Sequence, residues 1–406
     1  MKFSCKRPRR VRLVYFGRTG IDLLRNYISE ESDTVYLSPL VELNLWVALR
    51  MVLSGRVSQV GYYHAFLRLT MPSHVITMED NNLVFYSTRV ALPECRTIAI
   101  QNGLRGSHSH TPRSNFFKDL KASTSRGYGA TICATMGPAG SQYYIGALGD
   151  SVAQIVEIGS IRNNAIVLRS PQASKERRRL IFISTFPNLG ADGTDPNWES
   201  HTVHYFDSVG LTNSEYYRIE GVLARMVAEI ALDLGLDFCV LGKRPSWQSG
   251  ERRFFQNCIG TLDWQYLPSE NQASSYQTVT DSDLIITTDS TLGYELFARG
   301  IRTGFVSARM RLAGYQDVTE GTFAGLTHTE IQGPFWTDSC TRSEVNRLIH
   351  YLLTASDDEW QAVTESLRSR VVRFDFQNGA FCGILSEVGI LNHGPSLWQQ
   401  GLIPAN

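Results

Sequence analysis

At 406 residues the chain is long enough for two α/β domains of ordinary size. Its 39 basic and 39 acidic residues cancel, which argues against a general nucleic-acid binder while leaving room for local basic patches. Seven cysteines with no CxxC pair and no Cys/His cluster at ligand spacing argue against a disulfide scaffold or a structural zinc, and predict buried free thiols in a reducing compartment.

The N-terminal MKFSCKRPRR is basic, but the apolar run behind it, Val11–Phe16, is too short and interrupted for a secretory h-region, and no later run reaches membrane-spanning length. The expectation is a cytoplasmic protein. A solvated tail is the ordinary reading of the basic arm, and peripheral contact with anionic lipid of the inner membrane is the alternative. Val11–Phe16 reads as a strand, followed by Gly17-Arg18-Thr19-Gly20 and a helical pattern through Ile21, Leu23, Leu24 and Tyr27; GRTG lacks the spacing of a dinucleotide fingerprint. Leu43–Leu53, apolar and free of Gly and Pro, predicts a largely buried helix.

Val75–Met78 predicts a buried strand that ends in Glu79-Asp80-Asn81-Asn82, a position where α/β enzymes keep reacting groups; a plain Asx turn is the competing reading. Thr97–Ile100 runs into Gln101-Asn102-Gly103-Leu104-Arg105-Gly106, whose amides, glycines and arginine suit a loop lying against a polar ligand. His108 and His110 have no third ligand nearby, so no metal is expected there. Ala130–Cys133 and Ile155–Ile158 predict further strands, the second stopping at Gly159-Ser160-Ile161-Arg162-Asn163-Asn164. Polar, basic Ser170–Arg179 then reads as a linker before Leu180–Ser184 starts a second sheet.

In the second half Tyr216–Leu234 reads as a long amphipathic helix, and Phe238–Leu241 as a strand ended by Gly242-Lys243-Arg244. Lys243 and Arg244 suit an anion, with a solvated loop as the bland alternative. Asp281–Gly304 is the most informative stretch: the strand Leu284-Ile285-Ile286, the polar turn Thr287-Thr288-Asp289, and a helix opening at Ser290-Thr291-Leu292-Gly293. A helix start at the carboxyl end of a sheet offers N–H groups and a favourable dipole to a phosphate, Ser290 and Thr291 add hydroxyls, and Gly293 omits a Cβ. An ordinary N-cap accounts for the same residues. Ser343–Leu353 and Asp357–Val372 are helical in pattern.

Taken together, EDNN, QNGLRG, GSIRNN, TDSTLGYELFARG and GPFW resemble, in order and over about Val75–Trp360, the surface carbohydrate biosynthesis proteins of Leptospira-type bacteria. Ser290 to Glu295, SxxGxE, is also similar to the donor motif of capsule transferases that use CMP-linked sugars such as Kdo. More distantly it is similar to enzymes that polymerise glycerol phosphate from a CDP donor. The resemblance implies an α/β GT-B fold, two Rossmann-like domains facing each other across a cleft. Its expected parts are an acceptor-side domain over 1–170, a nucleotide-sugar domain over 171–355, and C-terminal helices over 356–406 that cross back.

The implied activity is metal-independent transfer of a sugar, with a CMP-linked acidic sugar as one candidate, from a nucleotide-sugar donor to a glycan or lipid-linked glycan acceptor, with no cofactor. On this reading Ser290, Thr291, Leu292 and Gly293 hold donor phosphate, Glu295 meets the ribose, and Lys243 and Arg244 balance charge. Asp80 is the expected base, with Glu79 its rival. Asn81, Asn82, Gln101, Asn102, Gly103, Arg105, Gly159, Ser160 and Asn163 are expected on the acceptor side. Two features depart from the family pattern: the aromatic and isoleucine-rich N-terminal motif is weak, and Thr287-Thr288 replace apolar residues. The alternatives are a nucleotide-sugar epimerase or hydrolase of the same fold, which would consume donor without acceptor, and a non-catalytic nucleotide-sugar-binding partner.

Overall fold

The computed structural model describes residues 2–28, 32–35, 42–104, 110–111, 114–168, 178–186, 197–200, 202–206, 209–271, 273–314 and 322–391. It divides into two compact units. The first gathers Met1–Leu104, Ser114–Asn164 and Asp375–Pro404, and the body of the second is Ala165–Phe374.

The first unit is built on six parallel strands: β1 (Leu13–Phe16), β2 (Ser32–Val35), β3 (His74–Thr77), β4 (Arg96–Ile100), β5 (Ala130–Thr135) and β6 (Val152–Glu157), in the order β6-β5-β4-β3-β1-β2. Parallel strands bury both faces, and the alternation of side chains shows it. Val14, Phe16, Val75 and Ala99 join one core with α2 (Gln59–Thr70) and α3 (Pro138–Leu148); Leu13, Tyr15, Ile76 and Ile98 join another with Ile21–Ile28.

One expectation fails here. The helix expected to be largely buried forms as α1 (Leu45–Leu53), its N-terminus capped by the Asn44 side chain, but Val47 is its one buried residue, and Leu45, Trp46, Leu49, Val52 and Leu53 are exposed. The Gln59–Thr70 helix packs against one side of it, while the apolar residues of its other side stay uncovered among the described residues.

The second unit repeats the plan with β7 (Arg179–Ile183), β8 (Asp237–Leu241), β9 (Gln265–Leu267), β10 (Leu284–Thr287), β11 (Thr303–Val306) and β12 (Trp336–Thr337). They are all parallel, in the order β9-β8-β7-β10-β11-β12. Helix α4 (Asn213–Asp233) opens with a reciprocal capping box between Thr212 and Glu215. It is followed by α5 (Ser249–Ile259), α6 (Thr291–Ala298) and α7 (Asp357–Val371).

The expected return of the chain at residue 356 comes later. Helix α7 stays with the second unit, held by Arg302 to Asp357 (2.7 Å), by the Trp360 indole N–H to the Gly300 carbonyl (2.8 Å), and by Trp360 against Phe335. From Asp375 the chain belongs to the first unit, where α8 (Gly379–Glu387) buries Phe381, Ile384 and Leu385. The entry to α8 is fixed by Asn378, at φ +59°, whose side-chain amide donates to the Tyr27 hydroxyl and the Ile161 carbonyl and accepts from Asn164. The expected linker Ser170–Arg179 lies almost wholly outside the described residues.

Candidate functional site

In an open parallel sheet, ligands bind beyond the carboxyl ends of the strands, where neighbouring strands send their connections to opposite faces. The strand orders put that point between β1 and β3 in the first unit and between β7 and β10 in the second.

In the first unit this edge holds Gly17–Thr19 after β1 and Glu79 after β3. Glu79 is half-buried, and its Oε1 accepts from the backbone N–H of Arg18 (2.9 Å) and Thr19 (3.4 Å) and from the Thr19 hydroxyl (3.3 Å). GRTG is therefore a cradle for this carboxylate: Gly17 sits at φ +84°, and a Cβ there would lie 2.2 Å from Glu79 Cδ. Among the described residues nothing bonds Glu79 Oε2.

Asp80 turns the other way. It has no exposed surface, and its carboxylate accepts from the Tyr144 hydroxyl (2.5 Å) and the Asn102 backbone N–H (3.3 Å), while its carbonyl accepts from Tyr86. Buried in this way, the Asp80 carboxylate ties down the loop after β4, which counts against the role of base expected of it.

The other acceptor-side candidates divide in the same way. Asn81 and Asn102 are exposed, whereas Asn82 caps the next helix through Val84 N–H, as in the plain turn reading. Gln101 is buried, donating to the Gly103 carbonyl (2.9 Å) and accepting from Met136 N–H (2.8 Å). Gly159 (φ +76°), Ser160 and Asn163 are buried at the turn after β6, where the Ser160 hydroxyl accepts from Asn163 N–H. Arg105 lies outside the described residues.

The second unit's edge is cationic and hydroxylic. Ser290 is the half-buried N-cap of α6 and makes no side-chain cap bond, so its hydroxyl does not satisfy the first-turn N–H groups. Thr291 and Leu292 are half-buried beside it. After β8, exposed Lys243 and half-buried Arg244 ride on a loop whose two backbone N–H groups donate to Glu251 (3.0 Å each). Glu251 also accepts from Ser184 (2.6 Å) and Tyr266 (2.7 Å). Burial pushes its carboxyl up, and those donors oppose the shift.

Two candidates also serve packing. A Cβ at Gly293 would stand 2.6 Å from Thr287 Cγ2, so this buried glycine seats α6 against β10. Glu295 is buried and accepts from the Tyr276 hydroxyl at 2.6 Å, which ties α6 to the Ser274–Thr278 helix and keeps the carboxylate off the strand edge.

Between β7 and β10 the structure assembles a group that the motif reading missed. Glu220 of α4, with no exposed surface, accepts from the Thr185 hydroxyl (2.7 Å) and N–H (3.1 Å), from Thr288 (2.9 Å), and from Arg309 (3.3 Å). Arg309 lies over the Tyr216 ring at 3.9 Å, and among the described residues its Nε has no hydrogen-bond partner. Thr287 and Thr288, the departure from the family pattern, are polar because they bond Ser290 N–H and Glu220. Beside them Asp289 accepts from Ser307 (2.7 Å) and Tyr294 (3.2 Å); burial raises its pKa to about 6, with Arg309 opposing. The available signal was Glu220 itself, a carboxylate within the apolar stripe Tyr217, Leu223, Ala224 and Val227 of α4.

Comparison with known proteins agrees with this architecture. The wall teichoic acid polymerase TagF, in a CDPG-soaked structure, superposes with a TM-score of 0.51 at 12% identity, over 93% of this chain and 88% of that one. A UDP-N-acetylglucosamine 2-epimerase superposes with a TM-score of 0.51 at 12% identity, over 96% of this chain and 98% of that one. At such identities the likeness is one of fold, and the fold is α/β and GT-B-like. No curated protein matches the chain in sequence. A family model described as "putative O-antigen biosynthesis protein" matches residues 98–388. That span is well over half of the chain, and the protein belongs to this O-antigen biosynthesis family.

Proposed function

We propose that this protein is a glycosyltransferase that moves a sugar from a nucleotide-sugar donor to a surface glycan or its lipid-linked precursor. The observation that carries the reading is the cationic, hydroxyl-bearing carboxyl edge of the second sheet: the uncapped start of α6 at Ser290, with Lys243 and Arg244 on the same edge. A helix N-terminus and fixed cations suit a diphosphate or a sugar-linked monophosphate, and they balance its charge without requiring a metal or another cofactor. Ser290, Thr291 and Leu292 N–H would hold phosphate. Arg309, neutralised by Glu220, sets the floor of the site. Glu79 replaces Asp80 as the candidate base, since it is half-buried and among the described residues its bonds go to Oε1 and leave Oε2.

The test is thermal stabilisation by CMP-, CDP-, UDP-, GDP- and dTDP-linked ligands, because a ligand that binds only the folded state raises its melting point by mass action. One nucleotide class should stabilise the protein. Ser290→Ala should weaken that ligand about tenfold, the loss of one charge-assisted hydrogen bond, while leaving the unliganded melting point unchanged. Indifference to every nucleotide would remove the reading. The likeness to an epimerase supports a second reading, donor rearrangement without acceptor. Consumption of the stabilising nucleotide sugar in the absence of any glycan would favour it.

A further inference from the structure

The exposed face of α1 is apolar and is flanked by positive charge. Leu45, Trp46, Leu49, Val52 and Leu53 point to solvent, with Leu53 at 73% exposure, and Val57 and Phe3 beside them are exposed too. The basic arm is fastened to this helix. Lys2–Ser4 pairs in parallel with Glu42–Asn44, the Trp46 indole N–H donates to the Cys5 carbonyl (2.8 Å), and the Asn44 side-chain amide donates to the Lys6 carbonyl (2.9 Å). Lys6, Arg7, Arg9 and Arg10 are exposed on the arm, and Arg50 and Arg56 on α1 and just after it. Although the whole chain is neutral, residues 43–78 contain no Asp or Glu. The charge is segregated around the apolar patch.

We propose that α1 and the 2–10 arm form an in-plane anchor that docks this protein on an anionic lipid bilayer. A short helix with a tryptophan and aliphatic side chains on its outer face, edged by lysine and arginine, combines apolar burial at the headgroup boundary with attraction to negative lipid. A second copy of the chain fits less well, because a two-fold interface would set cations against cations. No described helix is long and apolar enough to cross a membrane, so the attachment is peripheral and reversible. The inference is independent of the sugar-transfer reading.

The experiment is flotation of the full chain with phosphatidylglycerol-containing vesicles and with phosphatidylcholine vesicles, at low and high salt. Two variants are run beside it: Leu49→Gln with Val52→Gln, and Lys6→Ser with Arg7→Ser and Arg10→Ser. All these positions are exposed, so circular dichroism and melting points should match the parent protein. Binding to the anionic vesicles should weaken at high salt, and each variant should lower partitioning by about tenfold or more. No binding to anionic vesicles, equal binding to neutral ones, or unchanged binding of both variants would overturn the proposal. So would a dimer, seen by sedimentation, that the apolar variant dissolves, or vesicle binding displaced by an acidic protein captured on the same face.

Discussion

The two six-stranded parallel sheets differ in what they place at their switch points. The first offers a carboxylate, Glu79, cradled by backbone N–H groups of the β1 loop. The second offers a helix start whose N-cap, Ser290, makes no side-chain cap bond, two cations after β8, and a buried Arg309 paired with Glu220. On the proposed reading, one architecture yields an edge that would deprotonate a hydroxyl and an edge that would hold an anion. The difference lies in a handful of residues after the strands, while the strands beside each switch point, β1, β3 and β10, are buried along their whole length.

The sharpest way to break the second edge is Glu220→Ala. It leaves the Arg309 charge buried without its carboxylate and strips a partner from Thr185 and Thr288, and it should cost about 3–5 kcal/mol in denaturant unfolding. A near-neutral result would show that Arg309 is not dependent on this pair. The corresponding blow to the first edge is Glu79→Gln. If Glu79 is the base, turnover should fall about a hundredfold, some 2.7 kcal/mol of barrier, with donor affinity held within a few-fold. A parallel loss of donor binding would assign Glu79 to the loop cradle alone.

Gly293→Val tests whether the glycine serves packing or phosphate. Overpacking against Thr287 should destabilise the protein by about 1–3 kcal/mol with or without nucleotide. Full stability combined with lost nucleotide binding would restore the phosphate role. The smallest effect is a pH dependence at Asp289. Its folded pKa of about 6 lies above the ordinary 3.8, so its stabilising contribution is complete below about 3.8 and is lost as pH rises through about 6. Asp289→Asn should remove that slope, measured as unfolding midpoints from pH 4 to pH 7; identical slopes would show that the carboxyl titrates normally.

The comparison also shows where reading residues in order stops. The β10 turn and α6 motif were recognisable as a strand, a turn and a helix start, and so was the GRTG turn, because local periodicity and turn chemistry are written in consecutive residues. Which of two adjacent carboxylates faces outward was not: Glu79 and Asp80 differ by one step along the chain, and the half-turn between them was decided by Tyr144, sixty-four residues away. Likewise the order of residues around Gly293 does not show that Thr287 stands where its side chain would be.

The sequence by itself determined the α/β class, the two-unit organisation, the family motifs and the position of the helix start at Ser290, since each depends on neighbours in the chain or on their order. Tertiary structure alone decided that α1 keeps an uncovered apolar face, that α7 remains with the second unit while α8 joins the first, and that Thr185, Glu220, Thr288 and Arg309 meet. These four residues come from segments up to 124 positions apart, and only the pairing of β7 with β10 in the sheet brings a buried charge to its partner. Burial and pairing are properties of packed surfaces, and no run of consecutive residues contains them.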